Sequence, residues 1–131
     1  GQRERLAVFG TADETPDGTG VRDYTHGADL AAAHVRALEA LVADPEQNHV
    51  LNCGYGRGFS VLHVLDAVDR VTNMKLTRKL EGRRAGDPDS LISDNRAIMD
   101  RFPWQPGHAD LDEIVAHALA WERKLDEIRG E

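Results

Sequence analysis

The sequence predicts a mixed α/β fold in which short strands alternate with three main helices. Two observations support this prediction. Apolar residues recur at helical spacing in three segments, which begin near Asp29, Ser60 and Asp110. Between these segments lie short apolar runs bounded by turn-forming residues, a pattern typical of strands. With 131 residues the chain has the length of one domain, so we expect a single folded unit over residues 1–131.

The first third of the chain predicts one strand and one long helix. Residues 6–9 form an apolar run stopped by a glycine, which indicates a strand. Residues 11–20 are polar and rich in glycine, as in a loop. The helix that follows has Asp29 as its expected N-cap. It must end before Pro45, because a proline ring cannot continue a helix.

In the middle of the chain, Val50 and Leu51 predict a strand that leads into a glycine-rich turn. Ser60 is the expected N-cap of the second helix. An extended piece is predicted around residues 75–80, and a loop over residues 82–88.

The last third predicts two helices. A strand ends near Leu91, and Asp94 begins a short helix. Asp110 and Glu113 form a pair like a capping box at the start of the final helix.

Composition and charge exclude several classes of protein. The net charge of −7 argues against nucleic-acid binding, and no apolar run approaches the ~20 residues of a membrane span. The single cysteine, Cys53, rules out an internal disulfide and suits a reducing compartment, so we expect a cytoplasmic protein. Because the chain begins at Gly1 and not at Met, we expect it to be a piece of a longer protein. An anionic ligand would need a local cluster of arginines.

The turn that contains Gly54, Gly56 and Gly58 imitates a dinucleotide-binding loop, because it lies between an apolar run and a helix. Its spacing is wrong for that motif, and no acidic residue follows at the required distance. We therefore interpret it as a tight structural turn. Phosphate binding at the following helix N-terminus is the alternative.

A second motif is the loop Arg83-Arg84-Ala85-Gly86-Asp87. Guanidinium groups bind phosphate oxygens with two parallel hydrogen bonds, and a glycine lets the backbone approach a ligand closely. An aspartate can accept hydrogen bonds from sugar hydroxyls. A solvated surface loop is the alternative, since exposed charges are common.

The order of these motifs resembles that of UDP-glucose 4-epimerases, which are extended short-chain dehydrogenases/reductases. The resemblance covers roughly residues 3–125 and only the C-terminal part of that family. It rests on the run Asp17-Gly18-Thr19-Gly20-Val21-Arg22-Asp23-Tyr24-Thr25-His26, on Asn52-x-Gly54-x-Gly56 with Ser60-Val61, and on Arg84-Ala85-Gly86-Asp87. The positions that depart from the family's pattern are Thr25, Gly27 and Cys53.

The resemblance implies a substrate site for UDP-glucose or UDP-galactose. It implies that Arg22 and Arg84 contact the diphosphate and that Asp87 contacts a ribose hydroxyl, with uracil along residues 7–9 and Leu91 beside the sugar ring. Core packing is the alternative for residues 7–9, for Leu91 and for Tyr24, which is expected near the phosphates. The complete expected set is Ala7, Val8, Phe9, Arg22, Tyr24, Arg84, Ala85, Gly86, Asp87 and Leu91.

The resemblance also implies that NAD binding and catalysis belong to an N-terminal Rossmann domain outside this chain. Neither Tyr24 nor Tyr55 has the lysine four residues later that the family's catalytic pair requires, so we expect no catalytic residue here and no activity of the chain alone. The six histidines show no metal-binding spacing, so no metal site is expected.

We expect the parent protein to be a homodimer and the isolated chain to be monomeric or weakly self-associating. An epimerase or dehydratase for another UDP-sugar, N-acetylated or uronic, and a non-catalytic nucleotide-sugar-binding module remain alternatives.

Overall fold

A computed structural model of the chain describes residues 5–130 and confirms the mixed α/β fold. The expectation that the chain is a piece of a longer protein was drawn from Gly1, which lies outside the described residues. Three main helices and one short helix are combined with short strands. None of the described helices has the length and apolar character needed to cross a membrane. The elements are β1 Leu6–Phe9, β2 Val21–Arg22, α1 Gly27–Ala43, β3 Phe59–Ser60, α2 Val61–Thr72, β4 Arg78–Glu81, β5 Ser90–Leu91, α3 Arg96–Arg101 and α4 Leu111–Arg129.

The strands form two small sheets. β1 and β4 pair in parallel, with Leu6 opposite Arg78. In the second sheet β2 lies between β3, which is antiparallel to it, and β5, which is parallel to it. This register places Arg22 next to Leu91.

Two clusters of apolar side chains join the helices to one another. Ala33 of α1 packs with Ile98, Phe102 and Trp104, which come from α3 and the segment after it. A separate cluster joins α2 to α4 and consists of Ala67, Leu111 and Val115. The second cluster follows from the helical spacing of apolar residues in α2 and α4, whereas the first also uses Phe102 and Trp104, which lie after α3.

The N-cap of the first helix lies three residues before the position predicted for it. His26, not Asp29, is the N-cap of α1, and its Nδ1 accepts a hydrogen bond of 3.0 Å from the N–H of Ala28. Asp29 lies inside the first turn and is only 4% exposed. Its carboxylate binds groups from other segments, which is why it is not available to cap its own helix.

The carboxylate of Asp29 joins three segments. It accepts hydrogen bonds from the Tyr55 hydroxyl at 2.6 Å and from the N–H groups of Gly107 and His108, both at 2.9 Å. Burial opposes the ionisation of Asp29, but these hydrogen bonds outweigh it and lower its pKa. Burial, followed by the hydrogen bond to Asp29, raises the pKa of Tyr55 to about 12, so the hydroxyl keeps the proton that it donates.

The caps of the other two main helices agree with the sequence. Ser60 Oγ accepts from the N–H of His63 at 3.1 Å, and a carboxylate oxygen of Asp110 accepts from the N–H of Glu113 at 3.0 Å. α1 ends at Ala43, before Pro45, as predicted.

The strand predicted at Val50 and Leu51 is wrong. These residues belong to no strand, and Val50 is fully exposed, so it has no apolar surface to pack against in the described part of the chain. The short helix predicted from Asp94 begins instead at Arg96, with Asn95 at the N-cap position. The side-chain amide of Asn95 donates to the carbonyl of Gly54, and Asn95 accepts no capping hydrogen bond from the N–H groups of α3.

The glycine turn has no room for side chains. A Cβ atom on Gly58 would lie 2.4 Å from Cγ1 of Val21, and one on Gly54 would lie 2.5 Å from Oγ of Ser93. At Gly27, by contrast, a Cβ atom would meet nothing within 4 Å. The turn therefore requires glycine because of close packing.

We expect Gly58→Ala to lower the free energy of unfolding by about 1–3 kcal/mol, because the new methyl group forces the strand that carries Val21 to move. Urea denaturation at neutral pH measures the effect. Gly27→Ala is the matched control and should leave stability unchanged or slightly higher, since alanine is the better helix former. Equal stabilities of the two variants would contradict the packing role of the turn.

Candidate functional site

A cavity of about 250 Å³ lies between β1, the loop over residues 82–88 and the start of α2. Three arginines and two aspartates contribute to its walls, so it is a polar site with an excess of positive charge. The lining residues are Ala7, Phe9, Asp13, Gly20, Arg22, Val61, Arg83, Arg84 and Asp87.

β1 supplies the apolar wall of the cavity. Because side chains alternate along a strand, Ala7 and Phe9 reach the cavity while Val8 points to the other face, where it is fully buried. The guanidinium of Arg84 lies over the ring of Phe9, with Cζ 4.1 Å from the ring centroid. This cation–π contact brings a positive charge and an aromatic surface to the same wall.

Arg22 carries a positive charge that no carboxylate of the described residues compensates. Its Nη1 donates to the carbonyl of Val21 at 2.8 Å, and no carboxylate of residues 5–130 lies within 4.0 Å of its guanidinium. A Cβ atom on Gly20 would lie 3.3 Å from Nη1, so glycine leaves space for this side chain. Arg22 is therefore free to bind an anion.

The two arginines of the loop differ in how they are engaged. Arg83 donates to the carbonyl of Asp87 at 2.8 Å and pairs with the carboxylate of Asp89, so its charge is already compensated. Arg84 is only loosely paired with Asp87, at 3.6 Å between two exposed side chains. Exposed pairs of this kind contribute little, so Arg84 can exchange its partner for a ligand.

Asp13 is a cavity residue that the sequence did not single out. Its side chain is 6% exposed and lies 3.5 Å from Arg83, and one of its carboxylate oxygens has no hydrogen-bond partner in the described structure. Asp13 belongs to a polar loop with several other acidic residues, so no local signal distinguishes it.

Five of the ten predicted site residues line the cavity: Ala7, Phe9, Arg22, Arg84 and Asp87. The other five, Val8, Tyr24, Ala85, Gly86 and Leu91, do not line it, and their roles stay predictions.

Three of these five have identifiable environments. Tyr24 is half-buried, and its burial raises the pKa of the hydroxyl although the charge of Arg22 opposes the shift. Leu91 is 61% exposed beside Arg22. Gly86 has a φ of +85°, so it forms a loop conformation that favours glycine.

The N-terminus of α2 has no free donor for a phosphate. The N–H of Val61 donates to the carbonyl of Gly20, the N–H of Leu62 to Oγ1 of Thr19, and the N–H of His63 to its own cap, Ser60. A helix N-terminus binds phosphate through such groups, so the structural interpretation of the preceding turn is favoured.

Asp23 is hydrogen-bonded to this glycine turn, although it lies far from it in the sequence. Its carboxylate accepts hydrogen bonds of 3.0 Å from the N–H groups of Tyr55 and Gly56, and a longer one from that of Ser93. The sequence places Asp23 in the same motif as Arg22 but contains no signal that links it to the turn some 30 residues later.

Comparisons with known proteins agree with this architecture. No protein-family model matches the chain. UDP-glucose 4-epimerase of Azospirillum brasilense is 44% identical over 131 residues, which are all of this chain and 37% of that protein.

Two solved structures have the same fold. The UDP-glucose 4-epimerase from Stenotrophomonas maltophila, with bound NAD and formylated UDP-arabinopyranose, matches 95% of this chain and 36% of its own, with a TM-score of 0.88 and 35% identity. The UDP-Glc/GlcNAc 4-epimerase from Campylobacter jejuni matches 94% of this chain and 37% of its own, with a TM-score of 0.83 and 41% identity.

The chain thus has the fold of one part of the nucleotide-sugar epimerases, and an arginine-lined cavity lies within it. In sequence and in fold the chain corresponds to the C-terminal part of the UDP-glucose 4-epimerases, which are enzymes. The chain spans about 37% of the length of the relatives it matches.

Proposed function

We propose that residues 1–131 form the substrate-binding domain of a UDP-glucose 4-epimerase, the enzyme that interconverts UDP-glucose and UDP-galactose by NAD-dependent oxidation and reduction at C4 of the sugar. The observation that carries the proposal is the position of Arg22. Its charge has no carboxylate partner in the described structure, and it faces the same cavity as Arg84 and Phe9.

In this proposal the diphosphate lies between Arg22 and Arg84. Guanidinium groups form two parallel hydrogen bonds with phosphate oxygens, and two of them balance about two negative charges without a metal ion. Arg84 gives up its loose contact with Asp87, whose carboxylate then accepts from a ribose hydroxyl. The uracil lies along β1 against Ala7 and Phe9. Tyr24 lies near the phosphates, and Leu91 lies beside the sugar ring.

NAD is proposed to bind to a Rossmann domain elsewhere in the parent protein. The described residues do not fit the cofactor at the glycine turn, because the amides of the following helix are occupied by Gly20, Thr19 and Ser60. This chain binds and orients the UDP-sugar, and we propose that it is inactive alone. A cytoplasmic homodimer is the proposed state of the parent protein.

An amide NMR titration of the chain tests the proposal, with UDP, UDP-glucose and NAD in parallel. We expect UDP to shift the signals of Phe9, Arg22 and residues 84–87, and NAD to leave residues 54–58 unshifted. No shift at millimolar UDP would contradict substrate binding by this chain. Shifts at residues 54–58 with NAD would show that the glycine turn is the ligand site.

Phe9→Ala separates base binding from phosphate binding. An aromatic contact contributes about 0.5–1.5 kcal/mol beyond its buried area, so we expect UDP to bind about 2- to 13-fold more weakly. Inorganic pyrophosphate, which has no base, should bind the variant and the unmodified chain within about twofold, as measured by calorimetry. Equal losses for both ligands would contradict a uracil contact at Phe9.

A further inference from the structure

Three side chains with metal-binding atoms meet on the surface beside the start of α4. These are His108, Glu113 and His117, and one ligand atom from each lies within 4.8 Å of the others. Nδ1 of His108 is 2.7 Å from a carboxylate oxygen of Glu113. The three residues do not line the cavity that holds Arg22.

Helix geometry and a tertiary contact bring these groups together. Glu113 and His117 are four residues apart on α4, so they share one face of the helix. His108 precedes that helix, and its N–H donates to the buried carboxylate of Asp29 at 2.9 Å. The spacing of the histidines alone predicted no metal site, because it does not include this contact or the glutamate.

A third imidazole lies beside the cluster. Nε2 of His26 lies 2.9 Å from Nδ1 of His117. Nδ1 of His26 accepts from the N–H of Ala28, so the neutral ring carries its proton on Nε2 and donates it to His117. A neutral His117 that accepts at Nδ1 carries its own proton on Nε2, so a metal ion binds Nδ1 in place of the hydrogen bond from His26. His26 is not itself a ligand.

We propose that His108, Glu113 and His117 bind one divalent transition-metal ion of the zinc class, with water in the remaining position. Two imidazole nitrogens and one carboxylate oxygen form a donor set that suits zinc and its neighbours, whereas magnesium and calcium prefer oxygen ligands. In a tetrahedral zinc site the ligand atoms lie roughly 3.3 Å apart. Glu113 and His108 are partly exposed and His117 is exposed, so side-chain rotation alone can bring the atoms to that separation.

The bound ion links the segment before α4 to the helix itself, close to the N-terminus of α1. We expect its effect to be structural, since a metal that binds only the folded state raises stability. The site is accessible from solvent, so the ion can enter without unfolding of the chain.

Calorimetric titration of the chain with ZnCl₂ at pH 7.5 tests the proposal. We expect one ion per chain, and CoCl₂ should bind the same site and produce a visible absorption band typical of mixed nitrogen and oxygen ligands. His117→Gln and Glu113→Gln should each weaken zinc binding at least about tenfold, because loss of even an outer-shell partner costs about 10- to 100-fold. Circular dichroism checks that both variants remain folded.

His34→Gln and His63→Gln are the matched controls, because both residues are exposed histidines outside the cluster. They should bind zinc like the unmodified chain. The proposal is overturned if ZnCl₂ does not bind at millimolar concentration, or if the two controls lose as much affinity as His117→Gln.

Discussion

Arg22→Ala should weaken binding of UDP to this chain by about 10- to 100-fold, the loss expected when a charged hydrogen-bond donor is removed from a phosphate. In the described structure Arg22 has no competing carboxylate, so its whole charge is available to the ligand. Arg22→Lys should recover only part of the affinity, because an ammonium group cannot form the two parallel hydrogen bonds of a guanidinium. Calorimetry with UDP measures both variants.

Arg36→Ala is the control for this prediction. Arg36 is an exposed arginine of α1 that pairs with Glu39 at 2.7 Å and lies away from the cavity. It should bind UDP as the unmodified chain does. If Arg36→Ala loses as much affinity for UDP as Arg22→Ala, the effect comes from net charge in general. If Arg22→Ala binds UDP as tightly as the unmodified chain, Arg22 is not part of the binding site.

Asp29→Ala should have the largest effect on stability, lowering the free energy of unfolding by roughly 3–6 kcal/mol. The substitution leaves the N–H groups of Gly107 and His108 without their acceptor, and the Tyr55 hydroxyl keeps only the longer hydrogen bond to the carbonyl of His108, at 3.1 Å. Proteins of this size are stable by about 5–15 kcal/mol, so the variant is expected to be partly unfolded at 37 °C. Urea denaturation followed by tryptophan fluorescence measures the change.

The same network predicts how stability depends on pH. The folded-state pKa of Asp29 is lowered, so its contribution is present above the unfolded value of about 3.9 and is lost as the pH falls through the folded-state pKa. The Asn variant, Asp29→Asn, should therefore lose less stability than the unmodified chain below about pH 4. Asp100→Ala, on the exposed face of α3, is the control and should behave like the unmodified chain. Equal stability of the Asp29 and Asp100 variants at neutral pH would contradict the role of Asp29.

Local signals account for the elements that the sequence predicted well. Ser60 and Asp110 cap their helices through hydrogen bonds to residues three positions later, and such contacts are visible in a short window of sequence. Asp29 was misplaced because its partners come from residues about 26 to 79 positions away. Val50 was predicted in a strand because it is apolar, although no described strand lies beside it.

In the candidate site, too, local sequence signals identify residues, whereas contacts between distant segments decide their roles. The resemblance to the epimerases, not the residue pattern alone, predicts Arg22, Arg84 and Asp87 as site residues, and all three line the cavity. Their sequence could not show that Arg83 is compensated by Asp89 while Arg84 stacks on Phe9. That difference depends on the pairing of β1 with β4, which brings distant segments together.

The sequence by itself determined the presence of the helices, the caps of α2 and α4 and the residue types that can bind a diphosphate, because periodicity and capping are properties of neighbouring residues. Only the tertiary structure decided which charges remain uncompensated. It buries Asp29 among donors from other segments, leaves Arg22 without a carboxylate in the described part of the chain, and gathers His108 with two residues of α4. The energy of a charge depends on everything around it in space, so these assignments require the folded chain.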